Sequence, residues 1–188
     1  CGLPRRDKEM NRASVLATCA LFAVMMMACG RSPEALLKKG NDALLETTKP
    51  QPDTATIDDG VKALREFTTR HMGHEHADSA YYLLGMIYGA TQRNAEAGET
   101  FMTLVQNFPT SRLRPKSLIL ASQAYENVKK YGYAKQCMQI LMAEYPDHEF
   151  VKGGSAKWLF LNIGKEPEAW DQSFLSDSST ARASTRPR

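Results

Sequence analysis

Cysteine is scarce in this chain. Four occur in 188 residues, at positions 1, 19, 29 and 137, too few for a disulfide framework. A strong charge of one sign is also missing. Formal net charge is +3, and the residues before Cys29 hold four basic side chains (Arg5, Arg6, Lys8, Arg12) against two acidic ones (Asp7, Glu9). From Cys29 onward 20 basic residues face 19 acidic ones, so no basic face follows and nucleic acid is not an expected partner. Motifs of nucleophilic and phosphate-handling sites are absent too. There is no G-x-S-x-G, no Gly-rich phosphate loop, no H-E-x-x-H and no Cys-x-x-Cys. The expectation is a chain that is not an enzyme and carries no cofactor. With 43% hydrophobic and 24% charged residues, the balance suits one globular domain.

The most unusual stretch is near the front. Met10-Asn11-Arg12 precedes a run without charge from 13 to 30, which holds Val15, Leu16, Leu21, Phe22, Val24 and three Met at 25–27. A basic start followed by a short apolar segment reads as a secretory signal. The run ends at Met26-Met27-Ala28-Cys29-Gly30. A small residue before a cysteine, after an apolar run, resembles the lipobox of bacterial lipoproteins. That resemblance implies cleavage before Cys29, loss of residues 1–28 and acylation of the Cys29 thiol. Each buried CH₂ adds about 0.8 kcal/mol of membrane affinity, so two or three acyl chains hold a protein on a bilayer. The alternatives are an uncut anchor, since 18 uncharged residues reach the lower limit for spanning, and a cleaved form without lipid. Cys19 reads as a small apolar residue within the signal. Gly30 in place of Asp implies, within that family, an outer-membrane location facing the periplasm.

Behind the signal the chain repeats. Asn107-Phe108-Pro109-Thr110-Ser111 and Glu144-Tyr145-Pro146-Asp147 place two prolines 37 residues apart. A further 37 residues back from Pro109 lies Met72, after Arg70-His71. That period suits a helix-turn-helix unit. The middle unit reads Tyr81-x2-Leu84-Gly85-x2-Tyr88, then Ala97-x3-Phe101, then Pro109. Tyr81, Leu84 and Tyr88 share one helical face. Gly85 admits a close neighbour, Ala97 is expected opposite it, Phe101 fills the groove between the helices, and Pro109 stops the second helix. The next unit sets Tyr125, Ala134, Met138 and Pro146 at matching positions, with Ala121-Ser122 for Leu-Gly. In the first unit Gly40, Gly60 and Leu64 match, but a polar, Pro-rich insertion at 47–53 makes it about eight residues longer than the repeat requires.

This pattern resembles the tetratricopeptide repeat (TPR). Its 37-residue period ending in Tyr/Phe-Pro is similar to the C-terminal TPR domain of the Tol–Pal coordinator family. It is also similar to the TPR lipoprotein of the outer-membrane β-barrel assembly complex. The resemblance implies an all-α, right-handed superhelix of about three and a half helix pairs over 33–163. Units fall near 33–72, 78–109 and 115–146, with a capping helix at 150–163 and a disordered tail at 164–188. Helices are expected at 33–46, 57–70, 78–90, 94–107, 115–128, 133–144 and 150–161. Pro33 sits at the first helical position behind Ser32, and Thr56 with Asp59 resembles a capping box. In the tail, Trp170, Phe174 and Leu175 are the residues able to dock.

In TPR proteins the first helix of each pair lines a concave groove that takes a peptide or a partner helix. Carried over, the groove positions are Ser79, Tyr82, Met86, Gly89 and Ala90, then Lys116, Ile119, Gln123, Glu126 and Asn127. An exposed Tyr82, Met86 and Ile119 would make it apolar, with Lys116 and Glu126 as a polar edge. Tyr82 should face the groove because Tyr81 takes the packing position. Core packing of Met86 and Ile119 is the competing reading.

His71, His74 and His76, with Glu75 and Asp78 close by, read as a polar inter-repeat turn. The alternative is a transition-metal site, since imidazole suits zinc, copper or nickel. No metal is expected, because no cysteine is close. Cys137 reads as a small buried hydrophobe and Lys129-Lys130 as a solvated turn. The function that follows is a lipid-anchored envelope scaffold for a protein partner, its oligomeric state open. A structural subunit of the barrel-assembly complex and a metal-binding envelope protein are the alternatives.

Overall fold

Glycines at the helix crossings set the architecture. In the computed structural model, which describes residues 31–166, helices follow one another from Pro33 and there are no strands among the described residues. They are α1 (Pro33–Glu46), α2 (Thr54–Arg70), α3 (Ala77–Ala90), α4 (Asn94–Asn107), α5 (Arg114–Asn127), α6 (Tyr131–Glu144), α7 (Glu149–Lys152) and α8 (Ser155–Asn162). Consecutive helices pack in turn from α1 to α6, α1 also touches α3, and α8 packs on both α6 and α7. This all-helical, repeating arrangement is consistent with a TPR superhelix. No described helix is long and apolar enough to cross a membrane. Cys29, the signal expected at 1–28 and the tail residues Trp170, Phe174 and Leu175 lie outside the described residues.

Each pair closes at a notch. A Cβ on Gly85 of α3 would sit 2.7 Å from the Phe101 ring of α4, and one on Gly40 of α1 would sit 2.5 Å from Leu64 of α2. Gly85 therefore meets Phe101 itself, while Ala97, fully buried, stands a turn earlier on α4. The third pair has Ser122 at the notch, and its buried hydroxyl donates to the Ala134 carbonyl at 3.0 Å. Successive pairs meet at a second notch, where Gly98 of α4 lies under the Tyr125 ring of α5. The turns repeat as well. Gln92 and Lys129, 37 residues apart, both take the left-handed conformation, with φ of 60° and 59°. Arg93 lies 4.3 Å from the Tyr88 ring centroid, and Lys130 lies 5.9 Å from that of Tyr125.

Apart from starts one or two residues early in α3, α5 and α6, two elements differ from the sequence expectation. The second helix begins at Thr54 rather than 57, because Asp53 is its cap. The Asp53 carboxylate accepts from the Ala55 and Thr56 amides at 3.1 and 3.3 Å and from the Thr56 hydroxyl at 2.6 Å. An ionised Asp is among the strongest N-caps, and Asp59 is drawn instead to Lys39 on α1. The expected final helix at 150–161 is broken in two. Gly153 and Gly154 end α7, with Gly154 at φ 77°, a conformation a glycine adopts without strain.

Candidate functional site

The face built by α1, α3 and α5 carries two hollows. The first, about 310 Å³, lies between α3, α4 and α5. Gly85, Ala97 and Phe101 form its floor, Met86, Leu120 and Ala124 its walls, and Asn94, Gln123 and Asn127 its edge. None of its lining residues is ionisable. The Asn127 amide donates to the Asn94 side-chain oxygen at 3.3 Å, joining the end of α5 to the start of α4. An apolar floor beneath primary amides accepts a small or aliphatic side chain while pairing with the peptide groups beside it.

The second hollow, about 350 Å³, lies where α1 meets α3 and is lined by Leu37, Asn41, His76, Ser79, Tyr82 and Leu83, with Leu113. Ser79 is tied to its own helix start, its amide donating to Asp78 at 2.6 Å. The other Asp78 oxygen accepts from the Ser111 hydroxyl at 2.5 Å, which fastens this turn to the next.

Of the expected groove residues, Met86, Gly89, Ala90, Gln123 and Asn127 line the first hollow, and Ser79 and Tyr82 the second. Lys116 is exposed and holds its ammonium 5.6 Å from the Tyr82 ring centroid. Tyr82, Met86 and Ile119 are all half-buried against the core, so none is the open side chain that a fully exposed groove would need. For Tyr82 the reason is Phe101, whose ring centroid lies 5.9 Å away, and the Tyr82 hydroxyl is buried without a hydrogen-bond partner. Nor is Tyr81 fully enclosed. It is half-buried against Phe108 at 5.8 Å, and that burial raises its phenol pKa. The enclosed tyrosines are Tyr88 and Tyr125, with Leu84 and Phe101 beside them in the core and Ala134 behind. Burial pushes the Tyr125 phenol up to about 12. Glu126 turns from the hollows toward Gly164, whose amide lies 3.5 Å from its carboxylate. Pro109 and Pro146 follow the ends of α4 and α6 at inter-repeat turns.

In the first hollow, sequence reasoning missed Asn94, Leu120 and Ala124. Asn94 opens α4 instead of lying on a first helix, so helix-face counting passes over it. No repeat signal marks it, since its spacing to Asn127 is 33 residues and the period is 37.

The histidines do not gather into a ligand set. His71 and His74 pack on Phe67, with ring centroids at 5.5 and 5.4 Å. The His74 Nδ1 accepts from the His76 amide at 3.2 Å and its Nε2 lies 3.9 Å from Glu34. Among the described residues no group of three or more His, Cys, Asp or Glu is placed to hold a metal. Cys137 is 1% exposed, its Sγ lies 3.5 Å from the Met102 sulfur, and burial pushes its pKa up to about 12. Such a thiol stays protonated and unreactive near neutral pH.

No curated protein matches the chain. Residues 79–111 match the tetratricopeptide repeat family model, a span that runs from Ser79 on α3 through α4 to Ser111 in the following turn. That match, within a stack of helix pairs built on the same notch, supports a TPR protein, and a repeat of this kind suggests a scaffold for protein–protein interaction.

Proposed function

We propose that the chain is a membrane-anchored scaffold of a bacterial envelope, held by an acylated Cys29 and presenting the α1/α3/α5 face to a protein or peptide partner. The observation that carries the binding reading is the uncharged first hollow, with Phe101 at its floor and Asn94, Gln123 and Asn127 at its rim. It suits an extended peptide with an aliphatic side chain better than a charged ligand, since none of its lining groups offers an opposite charge. TPR proteins generally act as scaffolds rather than enzymes. The anchor reading rests on the run at 13–30 ending in Ala28-Cys29.

The test uses the whole chain in native membranes. A photo-crosslinking residue at Gln123 should capture a discrete partner that the same residue at the exposed Lys62 of α2 does not. Equal capture from both positions would remove the groove reading. Palmitate labelling lost in Cys29→Ala supports the anchor, and equal labelling of both chains would remove it.

A further inference from the structure

The start of α6 breaks the repeat's surface chemistry. Positions 94 and 96 in the second unit are polar, and Glu96 pairs with Arg93 at 2.8 Å. Their counterparts 37 residues on are Tyr131 and Tyr133, which are 37% and 58% exposed. With Lys129, Lys130 and Gln136 they line a hollow of about 430 Å³. Lys130 is shared with Glu99 at 3.5 Å, so the exposed Lys129 supplies most of the unmatched charge. Two exposed aromatics in the first turn of one helix, lining one hollow beside two lysines, are unusual on a polar repeat surface and mark a contact site.

The chain itself leads to this patch. Behind α8 it passes along Tyr131, where a Cβ on Gly164 would lie 2.9 Å from the ring. Past Gly164 comes Lys165, and the residues after it, 166–181, carry Glu166, Glu168, Asp171 and Asp177 and no lysine or arginine, and include Trp170 and Phe174. Trp170 is four positions beyond Glu166, a reach of up to about 14 Å. That exceeds the 10–12 Å diameter typical of one helix, so the indole can cross the start of α6. The segment thus has the charge opposite to the lysines, an aromatic for the tyrosines and the right point of departure.

We infer that the acidic segment 166–175 docks on the Lys129/Lys130/Tyr131/Tyr133 patch of its own chain, with Trp170 against the tyrosines and its carboxylates facing the lysines. The patch adjoins Asn127 at the rim of the first hollow, so the docked segment lies next to the groove's end.

The full chain in detergent, labelled with 5-fluorotryptophan, tests this by fluorine NMR. It has two tryptophans, and Trp170→Phe assigns the signals. The Trp170 signal should differ from its position in urea. It should move to that position in Lys129→Glu/Lys130→Glu and in Glu168→Lys/Asp171→Lys, and return when all four changes are combined. Lys129→Glu alone should move it the same way, and Trp158 serves as the internal report on folding. Salt near 1 M, where the screening length is about 3 Å, should mimic the charge reversals. A wild-type Trp170 signal already at its urea position overturns the inference, as does one indifferent to the charge reversals. A shift that grows with protein concentration overturns it too, by placing the segment on a second copy.

Discussion

Gly85 and Phe101, 16 residues apart, lock the middle helix pair: the ring edge occupies the space where any other residue would carry its Cβ, 2.7 Å from that atom. Phe101 is 2% exposed and cannot swing aside. The equivalent contact in the first unit joins Gly40 to Leu64, 24 residues apart. The extra length is shared between the longer 47–53 loop and the additional residues of α2 ahead of Leu64, and the notch is kept.

Gly85→Leu should therefore overpack the pair. Helix propensity favours any such change by about 1 kcal/mol, but forcing side-chain atoms into a filled core costs about 1–3 kcal/mol or more. The expected result is a lower thermal midpoint by circular dichroism. Gly89→Leu, on the same helix with nothing within 4 Å of its would-be Cβ, should not share that loss. Equal midpoints for the two variants would place the tight crossing elsewhere.

Much of the fold was legible because the repeat writes each contact more than once. Gly85 and Phe101 announce a crossing, and the same spacing points to Ser122 and Met138 in the third unit. The bounds of α1 and α4 could be read directly from Pro33 and from Phe108-Pro109. Asp53 was hidden because a Thr-x-x-Asp phrase three residues later imitated a cap. The break at Gly153-Gly154 was hidden because the apolar residues on both sides keep a helical rhythm. Tyr82 is less open than its position suggests, for a subtler reason. Two adjacent tyrosines do point about 100° apart, but both meet the partner helix of their own pair, Tyr81 at Phe108 and Tyr82 at Phe101.

Tyr82 yields a sharper prediction than exposure would have given. Its hydroxyl is buried without a partner, and such a group costs about 1–3 kcal/mol relative to one that is satisfied. Tyr82→Phe keeps the ring against Phe101 and removes the polar atom. The thermal midpoint should hold or rise, whereas Tyr82→Ala should lower it by opening a cavity. A marked drop for Tyr82→Phe would show that the hydroxyl has a partner after all.

The insertion at 47–53 predicts an acid sensitivity. Glu46 accepts from the Asp53 amide at 3.0 Å and from the Lys49 ammonium at 2.6 Å. The Asp53 amide is the larger cause, and the two together hold its carboxyl below the ordinary 4.5. Asp53 is lowered likewise, first by the Thr56 hydroxyl and then by the Ala55 amide. A depressed carboxylate stabilises the fold above its unfolded pKa, and that contribution disappears as pH falls through the folded value. Wild type should thus lose stability below about pH 4.5, while Glu46→Gln starts lower at neutral pH and shows a flatter acid limb. Parallel melting curves for the two chains across that range would remove Glu46 as a source of the sensitivity.

The groove reading separates two kinds of substitution on one hollow. Gln123 is exposed at the rim, so Gln123→Ala should change stability by no more than about 0.5 kcal/mol. If its amide pairs with a peptide group of the partner, its loss leaves that group unpaired in a partly desolvated site and costs about 1–3 kcal/mol of binding. Phe101, at the floor, belongs to the core as well as to the hollow. Phe101→Ala should cost about 3–5 kcal/mol of stability, and binding falls because the floor is gone. Captured partner per folded protein, read by crosslinking from Asn127 in native membranes, distinguishes the two effects. Gln123→Ala should reduce capture while the melt stays put, and Phe101→Ala should reduce capture only in step with its lower midpoint at the assay temperature. Undiminished capture by Gln123→Ala, with a wild-type melt, would move the partner away from the first hollow and toward the Ser79/Tyr82 side of the face.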